Sequence, residues 1–364
     1  MTSGSRSPDA SLTQDQSFVA TSDKGLRYPL GHFAPAAGTL HRLEGGVRWA
    51  RIRMPGSLGH INCWLIDDDG GVAVVDTGMN LAMCREDWDA ILSGDLADTR
   101  ITRVFGTHFH PDHIGLAGML AKRFDAPVWM TRGEWLTIQL ARLDARDDMP
   151  EEVLTLRRAA GWSEHEIEAG KAEGWGRLRD IIAPLPLGYH RIRDGDALSF
   201  DGAPWRVVVG SGHSPEHACL LNEAAGVMIA GDQVLPRISS NVSLGITEPD
   251  ADPLGEWFAS IEKLKGLPAD LLILPAHGDP FHGLHPRLDA LRDEHRERLD
   301  ALEALIAEAP RRAVDCFEVL FRRKIDGKVR GLATGEALAH LRRLEVEGRA
   351  VREVRDGCWW YHPA

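Results

Sequence analysis

A chain of 364 residues, 43% hydrophobic and 26% charged, is ordinary for a globular protein and long enough for two domains. Its net charge of −12 argues against general affinity for nucleic acid or anionic membrane, and no apolar run reaches the length of a membrane span. Five scattered cysteines with no Cys-x-x-Cys pair fit reduced thiols in a cytoplasmic protein.

Residues 1–24 are polar, lack the apolar core of a signal peptide, and read as a flexible tail. Arg48–Met54 and Ile61–Asp67 read as strands. The turn Asp67-Asp68-Asp69-Gly70-Gly71 then leads into a buried strand, Val72–Val75, that ends in Asp76-Thr77-Gly78. A helix is expected over Leu81–Leu92 and another strand over Ile101–Phe105. Between that strand and a helical pattern (Ile114, Ala117, Leu120, Ala121, Phe124) lies Thr107-His108-Phe109-His110-Pro111-Asp112-His113. His108 and His110 are two apart, so extended backbone points both to one side, where they can share a cation. After Pro111 the chain turns, which lets Asp112 and His113 address a second position nearby. Imidazole and carboxylate suit zinc and related ions.

From about residue 132 to 187 strand signals give way to charged helical patterns carrying Trp135, Trp162 and Trp175. This reads as a helical insertion, either packing its own tryptophans or capping the site. Strands resume at His190–Ile192, Leu198–Phe200, Trp205–Val209, Ala218–Leu221, Gly226–Ala230 and Leu271–Leu274, with a helix near Leu254–Leu264. Three of them end in Gly212-His213, Gly231-Asp232 and Ala276-His277-Gly278. A histidine or aspartate beside glycine, repeated at strand ends, suggests convergence on one site. His60, Asn62, Arg237 and Asn241 are candidates for the surrounding pocket.

These motifs, in order over residues of about 30 to 284, resemble the metallo-β-lactamase-fold superfamily of hydrolases. The resemblance implies an α/β fold, an αββα sandwich of two mixed sheets. It also implies two divalent ions, most simply zinc, with iron or manganese as alternatives. His108, His110 and His213 would hold one ion, Asp112, His113 and His277 the other, and Asp232 would bridge them. Asp76 would orient a ligand imidazole. Asp112 and Asp232 are the candidate catalytic residues, around a hydroxide that bridges the ions. A bridging aspartate is typical of glyoxalase II-like, lactonase and RNA-processing branches and not of true β-lactamases, so antibiotic hydrolysis is not expected. Glu216 stands where many relatives have glycine.

Residues 285–364 read as a separate piece: helices at Arg287–Ala309, Val314–Arg322 and Thr334–Glu347, then a hairpin formed by Val351–Val354 and Trp359–Tyr361. That order is similar to a winged helix, a domain found beside this fold in one branch of the superfamily. Its basic and acidic residues nearly balance, so phosphate binding is not favoured. The domains expected are thus 25–284 and 285–364. The activity expected is hydrolysis of a small ester, thioester or lactone. Cleavage of a phosphodiester, or persulfide oxidation at a single iron, is the alternative. The partner expected is a small molecule, with nucleic acid or a second copy of the chain less favoured, and no membrane.

Overall fold

Along the central strands, residues one apart belong to different cores. Ala73 and Val75 pack with Trp49, Trp64, Phe105, Val207, Leu220 and Ile229, whereas Val72 and Val74 pack with Trp88, Ile91, Leu120 and Ile138. Strands buried on both faces lose the apolar/polar alternation of a half-exposed sheet, which is why they appear in the sequence as continuous apolar runs.

The computed structural model describes residues 20–171, 173–322, 324–325, 327 and 329–364. A hairpin of β1 (Thr21–Asp23) and β2 (Leu26–Tyr28) comes first. The seven-stranded sheet consists of β3 (Leu40–Arg42), β4 (Val47–Arg53), β5 (His60–Asp68), β6 (Gly71–Val75), β7 (Arg100–Phe105), β8 (Val128–Met130) and β9 (His190–Arg191), in that spatial order. The five-stranded sheet consists of β10 (Ala197–Phe200), β11 (Ala203–Gly210), β12 (His217–Asn222), β13 (Val227–Gly231) and β14 (Leu272–Pro275). Both sheets are mixed: β6 to β9 run parallel, as do β13 and β14, and the other pairs are antiparallel.

Helices α1 (Ala82–Ser93), α3 (Ala117–Phe124) and α4 (Arg132–Leu143) cover the outer face of the first sheet. Between β7 and α3 lies a single helical turn, α2 (Pro111–Ile114). Helices α5 (Glu151–Ala159) and α6 (Glu164–Lys171) complete the insertion. The outer face of the second sheet is covered by α7 (Pro253–Leu264), α8 (Leu284–Glu308) and α10 (Arg330–Val346), with α9 (Phe317–Leu320) and a hairpin of β15 (Ala350–Arg355) and β16 (Cys358–Pro363). The result is the expected αββα sandwich.

Two expectations need correction. Residues 1–19 of the expected tail lie outside the described residues, but Thr21–Asp23 form a strand. Lys24 and Gly25 have φ of 48° and 81°, the left-handed pair that a tight hairpin turn requires. The expected helix Val314–Arg322 is broken into a 3-10 turn, Ala313–Cys316, followed by the short α9. The C-terminal piece also shares its core with the sandwich. Along α8, Leu288 and Leu291 join a cluster with Phe281 and Trp257, and Leu302 and Ile306 extend the same cluster to Leu341 and Tyr361. The Trp162 ring of the insertion reaches this piece as well, its Nε1–H donating to Thr334 on α10 at 2.9 Å.

Candidate metal centre

The topology accounts for the convergence. Strands β6, β7 and β8 are parallel, so their carboxyl ends lie at one edge and deliver Asp76, the His108–His113 turn and Thr131 there. Strands β11 and β13 both run antiparallel to β12, and β14 runs parallel to β13. His213, Asp232 and His277 therefore also follow carboxyl ends at one edge of their sheet. Ligand sites of α/β sheets form at such ends because loops there are free to carry polar groups over a rigid scaffold.

Local chemistry shapes the first loop. His110 is extended (φ −61°, ψ 146°), and Pro111 opens the α2 turn, where its missing N–H costs nothing. His108 Nε2 then lies 2.7 Å from His110 Nδ1 and 3.2 Å from His213 Nε2, and His213 Nε2 lies 3.5 Å from Asp232 Oδ2. In the second set, His277 Nε2 is 3.3 Å from Asp112 Oδ2, and His113 Nε2 is 3.6 Å from the same oxygen. Asp232 touches both sets: Oδ2 lies 3.5 Å from His213 Nε2 in the first and 3.6 Å from His113 Nε2 in the second, and Oδ1 lies 3.6 Å from His277 Nε2. In each set the donor atoms lie within 4.8 Å of one another. A zinc–nitrogen bond of about 2.0–2.1 Å in tetrahedral geometry spaces ligand atoms about 3.3 Å apart, so both spacings fit a cation.

The outward nitrogen of each of four imidazoles is fixed. His113 Nδ1 lies 2.7 Å from Asp76 Oδ2, His213 Nδ1 2.7 Å from the Asn241 carbonyl, and His277 Nδ1 2.9 Å from the His60 carbonyl. His108 Nδ1 lies 3.1 Å from Thr107 Oγ1, whose own hydrogen goes to Asp76 Oδ2 at 2.9 Å. Oxygen acceptors at Nδ1 place the proton there, which leaves the Nε2 lone pairs facing the site. Two atoms test the fit directly. His113 Nε2 and Asp232 Oδ1 are buried without a hydrogen-bond partner, an arrangement that ordinarily costs about 1–3 kcal/mol per group. Both point among the other donors, where a cation would satisfy them.

The electrostatics differ between the sets. Burial opposes charge on His113 and His277, but nearby carboxylates (Asp76 at His113, Asp112 and Asp232 at both) outweigh it and raise both, so a cation would take the place of a proton there. Burial, reinforced by its neighbouring histidines, holds His108 well below its ordinary pKa. Burial likewise brings His110 down to about 3, so both stay neutral and able to ligate. For Asp112 burial opposes ionisation, but His113 and His277 outweigh it and keep the carboxylate charged.

Several residues here carry no local signal in the sequence. His217 is buried at the start of β12, and its Nε2 accepts the Asp232 N–H at 3.0 Å. Glu134 is buried on α4 and accepts from Phe109 N–H (2.9 Å), Ser214 Oγ–H (2.7 Å) and Glu216 N–H (2.7 Å), so it clasps the loops of His110 and His213 together. Glu216 itself accepts from Gly133 N–H at 2.7 Å, at the amino end of α4.

The four pocket candidates fare differently. Asn62 is buried and pins the His277 loop through the Pro275 and Gly278 carbonyls, so it does not line a pocket. Asn241 turns its side chain to Glu336. Arg237 lies over the Tyr28 ring. The His60 ring, brought down to about 4 by burial and Arg51, stands 6.5 Å from the His277 ring.

Residues 56–277 match the model of the metallo-beta-lactamase superfamily. The chain belongs to that superfamily. Residues 299–364 match the metallo-beta-lactamase-like C-terminal domain. A beta-lactamase domain protein from Burkholderia ambifaria is 38% identical and superposes with a TM-score of 0.84 over 93% of this chain and 98% of its own. A metallo-beta-lactamase family protein from Thermus thermophilus is 28% identical, with a TM-score of 0.74 over 88% of this chain and 99% of its own. The atrochrysone carboxyl ACP thioesterase AacuM of Aspergillus aculeatus is 27% identical over 181 residues, 47% of this chain and 55% of that enzyme. The chain thus spans about half the length of that relative. Among the described residues no helix is long and apolar enough to cross a membrane.

Proposed function

We propose that this superfamily member is a di-metal hydrolase of a small thioester or ester. His108, His110, His213 and Asp232 would hold one divalent ion, and Asp112, His113, His277 and Asp232 the other. Zinc is the simplest choice for so imidazole-rich a set. The observation that carries the reading is the shared Asp232 carboxylate between two buried donor sets. The thioesterase names of distant relatives such as AacuM support the bond class.

When bound, such ions supply Lewis acidity and make hydroxide available near neutral pH, by lowering a water's pKa from about 15.7 to about 7. The chain's own work is positional. It turns Nε2 of four imidazoles toward the site through the Nδ1 bonds already described, and it keeps Asp112 ionised, able to accept a hydrogen bond from the attacking water. A cysteine nucleophile does not fit: burial pushes Cys219 and Cys316 up to about 12 and raises Cys63 and Cys84 too. Among the described residues, many C-terminal arginines already have acidic partners. Arg298, Arg312, Arg343, Arg349 and Arg355 are each ion-paired, which favours a small substrate over a nucleic acid.

The test is elemental analysis of purified protein, then assay against acyl thioesters, esters, lactones and single-stranded RNA with and without chelator. Two divalent ions per chain and chelator-sensitive thioester or ester hydrolysis are expected. Full turnover after metal removal would sink the proposal.

A further inference from the structure

Asp232 is followed by a long loop, residues 232–252, that leads from β13 to α7 without regular secondary structure. A loop this irregular needs outside partners to hold a ligand in place, and here they come from the C-terminal helices. On α8, Arg287 donates to the Leu235 carbonyl at 2.5 Å and to the Ile238 carbonyl at 2.7 Å, and His295 Nε2 lies 3.0 Å from Ser239 Oγ. On α10, Glu336 Oε2 accepts from Asn241 Nδ2 at 2.8 Å, and the Gly335 carbonyl accepts from Leu244 N–H at 3.0 Å. Arg298 pairs with the other Glu336 oxygen at 3.1 Å and with Glu294 at 2.7 Å, so the carboxylate is itself braced. Gly335 permits this approach, since a methyl group there would come within 2.9 Å of Ser243 Cβ.

On its other side the same loop reaches the donor sets. The Asn241 carbonyl accepts the His213 Nδ1–H at 2.7 Å, and Ser240 Oγ–H donates to the Asp232 carbonyl. Asn241 therefore spans the gap: its side chain answers to α10 and its carbonyl sets the tautomer and tilt of His213.

We infer that the C-terminal unit completes the metal centre, with Glu336 as the positioning residue that sets His213 through Asn241. This rests on the di-metal reading above. A carboxylate that acts only as a fold brace would lower stability and leave ion affinities alone. A positioning carboxylate changes the affinity at the His213 set selectively, because outer partners of ligand imidazoles are worth roughly 10–100-fold in metal binding.

The experiment uses the full chain, stripped of metal and titrated with Co2+ and Zn2+ against a chelator. The native chain, Glu336→Ala, Glu336→Gln and Gly335→Ala are compared, with thermal unfolding of each metal-free protein alongside. The native chain is expected to bind two ions. Glu336→Ala should lose about 10-fold or more in affinity for one ion while the other stays within about threefold. Glu336→Gln retains an oxygen to accept from Asn241 and should recover most of that loss. If Glu336→Ala fails to fold, Gly335→Ala carries the test, since its methyl displaces Ser243 and the loop behind Asn241. Both affinities unchanged in the folded variants would overturn the inference alone. A native chain that binds no ion would overturn the di-metal reading and this inference with it.

Discussion

Asp76 Oδ2 lies 2.7 Å from Nδ1 of His113, and both side chains are closed off from solvent. Asp76 has φ of 62°, a left-handed conformation that aspartate tolerates better than most side chains. Its other oxygen accepts the Thr107 N–H at 2.9 Å. One carboxylate thus aligns His113 directly and braces the start of the His108–His113 turn. Asp76→Ala is expected to weaken the ion held by His113 by roughly 10–100-fold while leaving the far set less affected. Stepwise chelator competition reads this, and equal loss at both sets would count against it.

Glu134 accepts three hydrogen bonds from two different loops. Removing it strands three donors in a buried place, at about 1–3 kcal/mol each. Glu134→Ala should therefore lower stability by roughly 3 kcal/mol or more, seen as a lower midpoint in denaturant. Glu134→Gln keeps one acceptor oxygen and should fall between it and the native chain. An unshifted midpoint in both variants would show that the loops hold without the clasp.

The contrast between these residues and the seven donors explains how much of the site is legible in the sequence. His108, His110, Asp112 and His113 stand together, and His213, Asp232 and His277 each follow an apolar strand and adjoin glycine, so position along the chain carries their signal. Glu134 is one acid among many in a charged insertion, and its burial follows only from how α4 docks. His217 belongs to the same stretch as His213, but its partner, the Asp232 amide, is reached only by the pairing of β12 with β13. The αββα layering shows in the doubly apolar strands. The docking of α10 against Trp162 does not, because a contact between segments far apart in the chain leaves no period in either one.

His295 and His340 form a buried pair on α8 and α10, 3.1 Å apart through Nδ1 and Nε2, with His340 Nδ1–H donating to the Glu336 carbonyl. Burial, together with Arg298, brings His340 down to about 4 and holds His295 well below its ordinary value. Unfolded, each takes a proton near pH 6.5. Below that pH the unfolded chain binds protons that the folded chain refuses, so stability falls as pH drops from 6.5 toward 4. The slope reaches about 1.4 kcal/mol per pH unit for each fully engaged histidine. Glu336, raised by burial, acts with the opposite sign, so the comparison is between the metal-free native chain and His340→Gln. The variant should lose less stability between pH 6.5 and 5.5, and identical slopes would contradict the assignment.

Asp232 and His110 make unequal demands on the two sets. His110 contacts only the first, through His108 at 2.7 Å. Asp232 reaches His213 at 3.5 Å with one oxygen and His277 at 3.6 Å with the other. Truncating His110 removes one neutral donor from one ion. Truncating Asp232 removes the negative charge between both, and two dications a few ångströms apart then repel with less to offset them. His110→Ala should retain about one ion per chain, and Asp232→Ala fewer than one, with turnover in both reduced at least about 100-fold. Elemental analysis after dialysis decides the order. If Asp232→Ala kept two ions while His110→Ala kept none, Asp232 would not be the carboxylate that the two sets share.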